Sequence, residues 1–200
     1  MHHAIDFRSQ LDQFLVCTPR KKSLKHQLIK VTQGLVLVKL GKLEYALEAG
    51  QWFWLPFDTL VSLTYTPNTQ TQSVFVSSRV LARFPRQAGF VEANELLTAL
   101  INRLETITEH RDQQISLLNV VQQELVSLKP KLTESPLTQQ FNQWRADKPS
   151  SLSSELKLVL RMREANKQMQ SGQKRTAVVE SLFNSDETLF SNLERTLLGR

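Results

Sequence analysis

The sequence predicts an α+β chain: a small antiparallel β-barrel or sandwich first, then a helical connecting segment, then a small all-α C-terminal domain. Three observations predict it. Short apolar or alternating runs at 28–31, 35–40, 43–47 and 52–55 are cut by Gln33-Gly34, Gly41-Lys42 and Ala49-Gly50, which reads as strand, turn, strand, turn, strand. From Val91 the apolar period lengthens to helical spacing, and beyond Pro136 short helical pieces alternate with capping and stop signals. Turns as frequent as those of the first part suit an antiparallel barrel or sandwich better than a parallel sheet with crossover helices.

Composition bounds what this chain can be. Its 200 residues, 40% of them hydrophobic, suffice for one large domain or two small ones. No apolar run reaches the roughly 20 residues that span a bilayer, and MHHAIDFRSQ lacks the features of a secretory signal, so no membrane partner and a cytoplasmic location are expected. Cys17 is the single cysteine, which excludes an internal disulfide and a multi-cysteine zinc site; it reads as a small buried hydrophobe. The net charge of +6 is unevenly spread: residues 1–90 carry 11 Lys+Arg against 5 Asp+Glu, residues 91–128 carry 2 against 6, and residues 129–200 carry 12 against 8. A basic C-terminal part permits a polyanionic partner without requiring one.

Along the chain, residues 1–25 form a lead-in in which IDFRSQLDQFLVCT supplies one or two strands, and the basic run of Arg20, Lys21, Lys22 and Lys25 reads as a solvated loop. Strands follow at 60–65 and 73–78, joined through a turn at TPNTQTQ. Leu96, Leu97, Leu100, Ile101, Leu104 and Ile107 fall at helical spacing, and Ile115, Leu118, Val121, Leu125 and Leu128 repeat the pattern after EHRDQQ. These residues form two amphipathic helices or one kinked helix, which either packs on the barrel or offers a dimerisation face. LKPKLTESP is a linker, and 137–145 is a short helix with Leu137, Phe141 and Trp144 on one side. After ADKPSSLSS come helices over 155–170, 174–183 and 186–198, with Gly172 ending the first and NSDE turning into the last. Helix, short helix, tight turn, helix is the layout of a helix-turn-helix. The expected divisions are a barrel at 1–90, a connecting segment at 91–128, a linker at 129–136 and a C-terminal domain at 137–200.

GKLEYALEAGQWFWLP resembles the cupin sensor domain of AraC-type transcription regulators, and residues 155–199 are similar to the second helix-turn-helix of that family, with LRMREANKQMQSG as its Arg-apolar-x-x-Ala helix ending in Gly. SSRVLARFP, ELLTALINRL and SLLNVVQQELVSL are similar to its connecting region. The resemblance implies a DNA-binding regulator, a homodimer through 91–128 and a small-molecule effector in the cupin barrel. It places Lys174, Arg175, Thr188, Ser191, Asn192 and Arg195 at the DNA, where Lys174 and Arg175 hold phosphates and Asn192 and Arg195 can read base edges. The chain also departs from the family. Only 64 residues follow Pro136, so FNQWRADKPSSLSS looks like the opening of a first unit joined almost directly to the second, and the first recognition helix is missing. Phe183 and Asn184 stand where a Gly and an aromatic residue are usual, which strains the turn, and Glu194 occupies an expected aromatic position. Asp186, Glu187 and Glu194 would repel a phosphate backbone. An alternative is a partner or antagonist that pairs with other regulators through 91–128 and does not bind DNA.

Catalytic chemistry is not expected. Metal-binding cupins converge several histidines and a carboxylate, whereas His26 stands alone here, FDTLVSL after Pro56 has no histidine, His2 and His3 are terminal, and His110 belongs to the acidic helix. There is no glycine-rich phosphate loop and no Ser/His/Asp set, so no metal, cofactor or enzyme activity is expected. Alternation in the strand at 52–55 puts Trp52 and Trp54 on one face and Phe53 and Leu55 on the other. One pair faces the interior, either as core filling or as the wall of an effector pocket, for which His26, Tyr45, Trp52 and Trp54 are the candidate contacts.

Overall fold

The computed structural model describes residues 4–107 and 111–200. His2, His3 and His110 lie outside the described residues. One antiparallel sheet is built from β1 (Ile5–Asp12), β4 (Lys25–Gln33), β7 (Trp52–Leu55), β9 (Thr69–Ser77) and β10 (Gly89–Val91), in the order β1-β9-β4-β7-β10. The other contains β2 (Val16–Cys17), β5 (Leu35–Leu40), β6 (Leu43–Glu48) and β8 (Leu60–Tyr65), in the order β2-β8-β5-β6, with β3 (Lys21–Lys22) also paired to β8. The α+β class holds, and of the two arrangements expected for the first part, barrel or sandwich, the open sandwich is the one that forms. Among the described residues no strand pairing joins the two sheets, which face each other across Ile29, Val31, Val36, Val38, Phe53 and Leu55.

The tight β4–β5 connection depends on one glycine. Gly34 has φ +81°, and a Cβ there would lie 2.6 Å from Thr69 Oγ1. Only a residue without a side chain lets the two backbones approach so closely at that φ. The space is used by hydrogen bonds: the Thr66 and Thr69 hydroxyls both reach the Leu35 carbonyl, at 3.1 and 3.2 Å.

Helices cover both outer faces. α1 (Glu95–Thr106) starts at Asn94, whose side chain accepts from the Leu97 N–H at 2.8 Å, and α2 (Arg111–Val126) follows. Their apolar stripes, Leu97, Leu100, Ile101 and Leu104 with Leu118, Val121 and Leu125, are buried in one core with Leu28, Trp52, Trp54, Val74 and Val76 of the first sheet. Of the two roles expected for these helices, packing on the sheet accounts for the main stripe. On the second sheet, α3 (Pro136–Gln143) and α4 (Ser154–Gln170) bring Phe141, Leu152 and Leu160 against Leu35, Leu37 and Ala46.

One edge of each sheet is closed by groups outside the sheet. The edge strand β6 turns backbone N–H groups away from β5. The Ala46 N–H donates to Thr138 Oγ1 at 3.0 Å and the Glu44 N–H to Asn142 Oδ1 at 2.9 Å, while Asn142 Nδ2 donates back to the Glu44 carbonyl at 3.1 Å. α3 therefore stands where a neighbouring strand would. At the other sheet's edge, β10 exchanges backbone bonds between Phe90 and Lys131 at 2.8 and 2.9 Å. Thr138 is completely buried, so Thr138→Val keeps the shape and leaves the Ala46 N–H without an acceptor. The substitution should cost about 1–3 kcal/mol, read as a lower urea midpoint at unchanged slope; an unchanged midpoint would refute the edge-capping role.

Candidate functional site

The C-terminal helices assemble from their own caps inward. Ser153 caps α4 by accepting from the Leu156 N–H, and Gly172 follows its end at φ +95°. α5 (Arg175–Phe183) then packs across α4, and α6 (Glu187–Leu193), capped by Asp186, runs on into a π-helical turn over Glu194–Leu198. Val159, Met162, Ala165, Val178, Val179, Phe183 and Phe190 form their core, with the Phe183 and Phe190 rings edge-to-face at 5.1 Å. The strain expected from replacing the turn glycine is met by two residues in succession. Asn184 (φ 51°) and Ser185 (φ 66°) both take the left-handed conformation, and both of their N–H groups point to the Val179 carbonyl. Asn tolerates this region better than most residues.

Arg175 organises the exposed side of this unit. Its Nε donates to Glu187 Oε1 at 2.7 Å, Nη1 to Glu194 Oε2 at 2.6 Å and Nη2 to Ser191 Oγ at 3.1 Å, and its guanidinium lies 4.5 Å over the Phe190 ring. The hydrogen bonds it donates to Glu194 and then to Glu187 hold its pKa above the ordinary arginine value. This changes two expectations. Arg175 is committed within the domain rather than free for a phosphate, and Glu194 is no buried liability, because Arg175 and, at 3.6 Å, Arg200 match its charge. Ser191 is half-buried beneath Arg175, whereas Lys174, Thr188, Asn192 and Arg195 are exposed. Neither Lys174 nor Arg195 has an ion pair among the described residues.

The four candidate effector residues do not share one cavity. Trp52 and Trp54 face α1 and α2 on the outside of the first sheet, while Tyr45 lies between the sheets beside Phe53 and Phe90. His26 stacks on Trp54 with centroids 5.5 Å apart and opens to a pocket of about 710 Å³ with Phe57, Phe84, Arg83 and Arg86. A second cleft of about 460 Å³ lies on the open side of the sandwich, where Gln27 and Phe75 meet Val61, Leu63 and Tyr65 below Arg8 and Lys21. Its signal was present in the sequence as the alternation of β8 and β9, but which face points inward depends on sheet pairing. Burial pushes the Tyr65 hydroxyl up to about 12, with the nearby Asp12 carboxylate adding to the effect. Cys17 is exposed, against the expectation of a buried thiol.

The N-terminal sheets and the C-terminal helices are joined. Leu15 inserts into the core of the tail, and its N–H donates to the Leu197 carbonyl at 2.7 Å. Arg163 of α4 grips Glu44 of β6 through two bonds of 2.7 and 3.0 Å.

No family model matches the chain, and no curated protein matches it. Among solved structures, ToxT from Vibrio cholerae aligns over 98% of this chain and 95% of its own, at 11% identity and a TM-score of 0.40. An apo ToxT variant from the same species aligns over 100% and 95%, at 9% identity and a TM-score of 0.46. A cupin superfamily protein from Desulfitobacterium hafniense aligns over 37% of this chain and 66% of its own, at 11% identity and a TM-score of 0.32. The neighbours thus include one protein over nearly the whole chain and a cupin over part of it.

His26 provides a local test of this geometry. Its Nδ1 accepts from the Phe57 N–H at 3.1 Å, which requires the neutral ring, and burial holds its pKa below the ordinary histidine value of 6.5. The unfolded chain therefore binds more protons as pH falls through that ordinary value, so stability should drop there. His26→Asn should flatten that part of the pH–stability curve, and the ring's NMR titration should have its midpoint below 6.5; a midpoint above it would contradict the assigned hydrogen bond.

Proposed function

We propose that the chain is a regulator-like protein of the AraC type that binds DNA through α5 and α6. The observation that carries this reading is the Arg175 cluster. By engaging Glu187 and Glu194 it offsets the acidic groups that would repel phosphates, and it leaves Lys174, Thr188, Asn192 and Arg195 exposed around the start of α5, along α6 and in the π-helical turn after it. Lys174 is assigned to the phosphate backbone, Asn192 and Arg195 to base edges, and Thr188 to either. Arg175 and Ser191 are assigned a supporting role instead of direct contact. The chain acts in the cytoplasm and is not an enzyme.

A small-molecule effector is assigned to the cleft between the sheets, in place of the four dispersed residues. The wall of this cleft at Thr18 and Pro19 lies only a few residues from Leu15, which fills the core of the tail, so a ligand there has a short mechanical path to α6. Homodimerisation is assigned to the outer face of α2, where Ile115, Val120 and Val126 are exposed and no charged residue occurs between Asp112 and Glu124. That same face favours the second reading, in which the chain pairs with another regulator and does not itself bind DNA.

Fluorescence anisotropy on fragments of the source genome tests the DNA reading. Arg195→Ala should cost about 1–3 kcal/mol on the preferred site and relax its sequence preference, while Lys174→Ala should weaken all sequences alike and lower the salt slope by about 1. Absence of binding at low salt to every fragment sinks the DNA reading and leaves the pairing one, for which a monomer in analytical ultracentrifugation, alone and with a full-length regulator, would be fatal.

A further inference from the structure

A positive surface lies on the sandwich as well as on the tail. The Ser23 carbonyl and hydroxyl accept from the Asp58 and Thr59 N–H groups at 2.9 and 3.0 Å, which ties the segment around β3 to the β7–β8 connection. Pairing of Lys25 with Ser77 brings the loop after β9 to the same end, where Phe84 packs on His26 at 4.9 Å. Four large apolar side chains stand out from these segments: Leu24 at 78% exposure, Phe57 at 44%, Leu60 at 45% and Leu81 at 103%. Around them Lys21, Lys25, Arg79, Arg83 and Arg86 have no ion pair among the described residues, and Asp58 is taken by Lys22 at 3.0 Å.

The geometry points to this end of the sandwich as a docking surface for an anionic lipid membrane. Charge complementarity selects an anionic partner, and the leucines decide which one. Leu24 and Leu81 project from separate loops and line no common groove for a peptide to fill. Leucines also gain nothing against nucleic-acid phosphates. In the interfacial layer of a bilayer each leaves water, while the surrounding cations meet lipid phosphates. The pocket of about 710 Å³ beside Phe57, with Arg83, Arg86 and His26 on its walls, provides a seat for a headgroup phosphate. His26 Nδ1 accepts from the backbone, so the neutral ring carries its proton on Nε2 and has a donor to offer. Such a contact lies on the membrane without crossing it, in keeping with the absence, among the described residues, of a helix long and apolar enough to span.

Vesicle flotation of the full chain tests this. The protein should float with phosphatidylcholine vesicles containing roughly a third phosphatidylglycerol and not with phosphatidylcholine alone, and added salt should release it. Leu24→Ser and Leu81→Ser should each weaken flotation roughly tenfold, and Arg83→Gln or Arg86→Gln about fivefold. All four side chains are exposed, so unchanged thermal melts would confirm that the variants fold. Failure to float with the anionic vesicles overturns the proposal. So does flotation that both leucine variants retain in full, since that would mark a general affinity for polyanions.

Discussion

The unpaired edge of β6 sets much of the architecture. An edge strand with free N–H groups invites pairing with another chain, and here the side chains of α3 occupy those groups instead. Once α3 is fixed by Thr138 and Asn142, the chain must continue across the outer face of the second sheet, where α4 lies. The Glu44–Arg163 pair then fastens α4 to the same strand, two residues from the capped Ala46. α3 is thus used as sheet cover, its polar side chains holding a strand edge and Phe141 packing on the second sheet.

Much of this fold was legible from periodicity. The strand runs, the change of period at Val91 and the stop at Gly172 correspond to β4–β9, α1 and the end of α4, because local propensity and tertiary burial agree in those segments. What sequence could not give was the choice between equivalent faces. Trp52 and Trp54 alternate with Phe53 and Leu55, and either pair could have turned inward; the helices on the first sheet decide it. Closure into a barrel was equally undetermined, since it depends on which groups satisfy the edges, and Thr138 and Asn142 carry no local sign of that task.

The candidate site taught the opposite lesson. Glu194 and a turn without glycine at 183–185 look unfavourable when each is read alone. In three dimensions Arg175 connects Glu187, Glu194, Ser191 and the face of Phe190, so four apparently separate residues behave as one unit. Arg175 stands 12, 16 and 19 positions before Glu187, Ser191 and Glu194, well beyond the neighbour spacings of a helix, so the pattern within α6 gave no sign of the arginine that joins them.

Leu15 gives the two ends of the fold a common fate. The tail's core is completed by a residue made long before the helices that surround it, and the backbone bond to Leu197 joins segments almost a whole chain apart. During synthesis the sandwich can pair its strands early, whereas α4–α6 must wait for a finished surface to close upon. The tail therefore behaves as the last piece of an assembly whose socket is prepared first, and its order in time is written into the position of a single leucine.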